Sequence, residues 1–102
     1  MRMLMKVSMP TESFNPSVRD GSAGAKFARI LEETRPEAVY FTEDEGKRVG
    51  LLIVDVPNPS AIPSLAEPWF LLFNASVEFK VVMTPEDLKA AGLESLGKKW
   101  SS

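Results

Sequence analysis

Glu78, Tyr40 and Lys6 are the residues whose types suit chemistry and whose positions fall in segments of alternating polarity. A carboxylate taken out of water has a raised pKa and can act as a general base, a phenol can donate a hydrogen bond, and a nearby cation can hold an anion. Glu78 and Tyr40 are therefore the candidate catalytic pair, with Lys6, Arg2 and Thr42 as ligand contacts on the same face. The competing reading is a cross-strand ion pair, Glu78 with Lys6 or Arg2, that satisfies a polar sheet face. A second cluster, Asn15, Arg19 and Asp20, follows the first strand, and its competing reading is a helix cap with a solvated first turn. Trp69 is a candidate wall for an aromatic ligand, against the plainer reading of an aromatic in a helical stripe as core.

Missing residue types narrow the chemistry. The chain has no Cys and no His, so a thiolate nucleophile, a disulfide, a Cys-ligated metal and an imidazole base are all excluded. Twelve basic against fourteen acidic residues give a net charge of -2, which argues against a nucleic-acid or anionic-membrane binder. No apolar run approaches the roughly 18 residues of a membrane span, and Arg2 and Lys6 interrupt the Met-rich start, so the expectation is a soluble cytoplasmic protein without a signal peptide. At 102 residues and 44% hydrophobic content, the whole chain, 1–102, forms one domain around one core.

The elements that must position these residues follow from period. Met1 to Met9 alternates strictly and predicts a strand that Pro10 ends. Asn15-Pro16 reads as an N-cap with proline at the first helical position, and the helix runs to Arg35-Pro36, weakened in its first half by Gly21 and Gly24. Glu37 to Thr42 is a strand, Glu43 to Lys47 a turn, and Arg48 to Val56 an inner strand whose run Leu51 to Val54 is unbroken by polar residues. Asn58-Pro59 caps a second helix carrying Pro68, which should kink it. The stretch Glu67 to Met83 then changes period, from helical Trp69, Phe70 and Phe73 to alternating Val77, Phe79, Val81 and Met83. Thr84-Pro85 caps a last helix, to about Trp100, broken or bent at Gly92.

That order is the βαββαβ pattern of a ferredoxin-like α+β sandwich with an appended C-terminal helix. The expected helix-covered face holds Met3, Met5, Val7, Val39, Phe41, Leu51, Ile53, Val77, Phe79 and Val81. The other face would then centre on Leu4, Leu52, Val54 and Val82, too apolar to be left in water. Other users of such a fold fit poorly. Base-stacking aromatics are missing from the central strands, as RNA recognition would need, and SMPTESFNPS lacks the Arg and Gly of a phosphate cradle. An amino-acid-sensing regulatory domain finds only a loose parallel in Gly21 to Gly24.

A chain of this order, with PEAVYFTED feeding a hairpin and AEPWFLLFNASVEFKVVMTPEDL near its end, resembles the dimeric α+β barrel superfamily, and within it small uncharacterised bacterial proteins. The resemblance spans nearly the whole chain. It implies a homodimer that pairs the open faces of two sheets into a barrel, and, if catalytic, a cofactor-independent monooxygenase-like or isomerase-like activity. Haem-using relatives rely on a His ligand, which this chain lacks, so no cofactor is expected. The expected function is to bind or transform a small aromatic or anionic metabolite in the barrel cavity. The alternative is a non-catalytic regulatory or assembly module whose sheet face is only a dimer interface. A cavity of about 300 Å³ or more with convergent Glu78, Tyr40 and Lys6 separates the first from a barrel packed solid by Leu4, Leu52 and Val82.

Overall fold

A computed structural model describes residues 1–101. Strand β1 (Arg2–Met9) ends at Pro10, and α1 (Thr11–Arg19) begins directly behind it, with the Phe14 N–H donating to the Pro10 carbonyl at 3.0 Å. The Asn15-Pro16 cap read from the sequence is therefore corrected. Both residues lie inside α1, where the missing N–H of Pro16 costs the Glu12 carbonyl its intrahelical partner. Gly21, at φ 79, breaks the chain out of the helix, and α2 (Ala23–Thr34) starts afresh, so the one expected helix is two. Arg35 takes the left-handed conformation just ahead of Pro36 and closes α2 where expected.

Strands β2 (Ala38–Asp44) and β3 (Lys47–Asp55) form a hairpin closed by Glu45 and Gly46, both at positive φ, which is the two-residue turn matching the twist of paired strands. A 3-10 turn (Pro59–Ala61) leads into α3 (Ile62–Phe73), which continues through Pro68 and stops at left-handed Asn74. Strand β4 (Ser76–Val81) ends before Met83, which is exposed. Thr84 and Asp87 form a reciprocal capping box at the start of α4 (Pro85–Ala90), and Gly92 in the left-handed region separates it from α5 (Leu93–Trp100).

The sheet is four-stranded, in the order β2-β3-β1-β4, with every neighbouring pair antiparallel. This is the ferredoxin-like arrangement, with α1 and α2 together filling the first helical position. Its core lies between one sheet face and the helices: Met5, Val7, Met9, Leu52 and Val54 against Phe14, Ile30, Leu65, Trp69 and Phe73. Phe27 ties the aromatic members together, its ring 5.0 Å from those of Phe41 and Phe73 and 5.9 Å from Trp69. Trp69 is wholly excluded from solvent, and its indole N–H finds no acceptor among the described residues.

Register overturns the face expected for β3. Leu52 pairs with Met5 and Val39, Val54 with Met3, and Gly50 with Val7 and Phe41. Directly opposed residues of an antiparallel pair share a face, so Leu52 and Val54 are core and Leu51 and Ile53 look the other way.

Helices α4 and α5 stand apart from this core. Neither buries a residue, and Leu88, Leu93, Leu96 and Trp100 are exposed. The molecule is drawn out to 61 × 28 × 19 Å. No helix among the described residues is long and apolar enough to cross a membrane.

Candidate functional site: the uncovered sheet face

Alternation along β1 sends Arg2, Leu4, Lys6 and Ser8 away from the helices, and the register lines up their neighbours in rows. One row is Ala38, Ile53, Leu4 and Lys80; the next is Tyr40, Leu51, Lys6 and Glu78; the third is Thr42, Val49, Ser8 and Ser76. The two inner strands thus supply an apolar middle, Leu4, Ile53, Leu51 and Val49, and the edge strands supply hydroxyls and charge. Leu4, Leu51 and Ile53 are half-buried and take no part in the core on the helix side.

Two of the charges on this face, Arg2 and Lys6, are satisfied in a pattern the sequence did not reveal. Arg2 grips Glu37 with two parallel hydrogen bonds, Nε to Oε2 at 2.8 Å and Nη2 to Oε1 at 2.9 Å. Lys6 donates from Nζ to Asp44 Oδ2, reaching from β1 to β2. Its aliphatic stem must cross β3 to do so, and Val49, on this face, is only 1% exposed. The bond from Lys6 holds the Asp44 carboxyl below its ordinary value, and the bond from Arg2 does the same for Glu37. Both cations are raised in turn, and Asp87 of α4 adds to the field at Arg2. The cross-strand ion pair considered for Glu78 does not form. Although Glu78 lies opposite Lys6, it has no hydrogen bond or ion pair among the described residues.

Glu78 and Tyr40 share one row but sit at its two ends. Three strand spacings separate them, about 14 Å, so one small molecule does not touch both within a single chain. Tyr40 is 68% exposed. Thr42, on the same edge strand as Tyr40, pairs with Val49 of β3. The second cluster does not assemble. Asn15 Oδ1 accepts from Arg48 Nη1 at 2.9 Å, Asp20 accepts from the Ser22 N–H at 2.8 Å and is held below its ordinary pKa by the Ser22 hydroxyl first and that N–H second, and Arg19 makes no ion pair among the described residues. Trp69 lies on the other side of the sheet, inside the core. No group of His, Cys, Asp and Glu suited to a metal ion occurs among the described residues.

Sequence reasoning missed the side on which Arg48 lies. It pairs with Met9, a core residue, and so faces the helices. The Glu45-Gly46 turn carries the signal, because a two-residue loop pairs Asp44 with Lys47 and every later partner follows by counting. No family model matches this chain, and no curated protein matches it.

Proposed function

We propose that this protein is a cytoplasmic homodimer of the dimeric α+β barrel type, closed through the uncovered sheet face, and that the enclosed face takes a small aromatic or anionic metabolite without a cofactor. The observation that carries the reading is the row Tyr40, Leu51, Lys6 and Glu78: a phenol at one end and, at the other, a carboxylate without a partner among the described residues, beside the apolar Leu4, Leu51 and Ile53 on a face that joins no helix-side core. An apolar centre rimmed by polar residues on a small chain marks an association surface. Two-fold pairing also addresses the distance between the candidate acid and base. An axis along the strands lays β2 of one copy over β4 of the other and brings Tyr40 towards the partner's Glu78. An axis across the strands lays each edge on its own twin and does not.

A second reading, a non-catalytic module whose sheet face is only an interface, is favoured by one specific observation. Arg2 and Lys6, the cations that would hold an anion, are already neutralised by Glu37 and Asp44. Light scattering at micromolar concentration tests the dimer, and a clean monomer overturns both readings. Thermal-shift measurements with a panel of small aromatic and carboxylate compounds then divide them. Stabilisation of the wild type that Glu78→Gln abolishes supports the ligand site; a dimer indifferent to every compound is the module.

A further inference from the structure

On the helix side of the sheet the aromatic core opens to the surface. A pocket of about 190 Å³ lies there, walled by Phe14, Phe27, Phe41 and Met9, with Thr42 and Val49 at its sheet edge and Arg48 beside them. Phe27 stands 5.7 Å from Phe14 and 5.0 Å from Phe41, whose ring is half exposed.

Arg48 is held on two sides. Its guanidinium carbon sits 4.8 Å from the centre of the Phe14 ring, and Nη1 donates to Asn15 Oδ1 at 2.9 Å. Both contacts are neutral, so they orient the charge without compensating it. No carboxylate lies within ion-pair distance of Arg48 among the described residues. The acid directly opposite it in register, Glu43, instead accepts the Gly46 N–H at 3.2 Å in the hairpin turn. Arg48 is half-buried, and its guanidinium, stacked on a ring and with its other N–H groups unmatched among the described residues, has the geometry for a two-point bond to a carboxylate.

Size and lining complete the description. An apolar cavity of about 150 Å³ holds one benzene molecule, so this pocket accommodates a single six-membered ring with a short substituent. The geometry points to a binding site for a small monocyclic aromatic carboxylate, with its ring among Phe14, Phe27 and Phe41 and its carboxylate on Arg48. The site is complete within one chain, and its ring walls and Arg48 lie on the opposite side of the sheet from the proposed dimer face, with only Thr42 and Val49 shared at the sheet edge, so it is tested separately from the reading above.

Benzoate is the probe, titrated into the ¹⁵N-labelled full chain, with benzamide lacking the charge and acetate lacking the ring. Saturable shifts at Asn15, Phe41 and Arg48 are expected, with benzoate binding about tenfold or more tightly than either control. Arg48→Gln should bring benzoate down to the level of benzamide and leave benzamide unchanged. If that variant does not fold, Arg48→Lys, which keeps the charge and loses the fork, should weaken benzoate several-fold. No saturable shift with benzoate, an equal response to acetate, a preference that survives Arg48→Gln, or shifts centred on Lys6, Leu51 and Glu78 would each overturn the assignment. Light scattering reads the dimer independently of all of these outcomes.

Discussion

On the helix side of the sheet, Met5, Val7 and Leu52 are sealed from water beneath Trp69 and Phe73, whereas on the other side Leu4, Leu51 and Ile53 keep part of their surface in solvent. Residue type does not distinguish the two sets. Connectivity does: both crossovers of the split βαβ pattern swing to the same side, so α1, α2 and α3 all arrive on one face. The uncovered face compensates in part with side chains that lie along it, the Lys6 stem bound to Asp44 and the Arg2–Glu37 fork. An apolar stripe therefore shows that cover is required, while the order of the chain decides which face receives it from within.

Adjacent residues of β3 provide the sharpest way to break this contrast. Leu52→Asp places a carboxylate in the sealed core and should cost more than about 4 kcal/mol, enough to leave the chain unfolded by circular dichroism. Leu51→Asp, one residue away and facing outward, should keep the native spectrum and, on the proposed pairing of open faces, halve the mass read by light scattering. A folded Leu52→Asp beside an unfolded Leu51→Asp would show that the two faces are exchanged.

Acid provides a gentler test of the open face. Asp44 and Glu37 are held below their ordinary values of 3.8 and 4.5, so the stability they add is present above those values and fades as pH falls through the lowered ones. Urea midpoints should fall on acidification, and Asp44→Asn should flatten the fall. An unchanged acid limb in that variant would show that the Lys6 bond contributes nothing in solution. The smallest effect is expected at Asn58, which forms no side-chain cap to the backbone and instead accepts the Ser60 hydroxyl. Asn58→Ala should cost only a few tenths of a kcal/mol, against about 1 for a working cap, as read from the denaturation midpoint.

The contrast between faces also marks where the sequence was legible. Polar residues at alternate positions, with Leu4 the one exception, made the sides of β1 and β4 readable, and with them the shared face of Arg2, Lys6 and Glu78. The run Leu51-Leu52-Ile53-Val54 contains no polar marker, so its phase depended on the exact turn, and reading a longer turn inverted it. The same inversion hid Arg48 and its pocket. Asn15-Pro16 carried the composition of a cap, yet the chain was already helical from Thr11, a start that Pro10 made possible without any side-chain cap. Ion-pair partners were illegible for another reason. Lys6 bypasses the strand between and reaches Asp44, a choice made by side-chain length and the sheet's twist rather than by spacing.

The unpacked pair α4–α5 alters how this protein behaves on a column. A compact chain of 100 residues has a radius of gyration of about 13 Å, whereas this one has 17.4 Å and a long axis of 61 Å. Friction in solution follows that outline rather than the mass, so gel filtration calibrated with globular standards will report the 11.3 kDa monomer as something substantially heavier. An early-eluting peak is therefore what a single copy already gives, and only a measurement of mass itself, by scattered light or sedimentation equilibrium, distinguishes one extended chain from two.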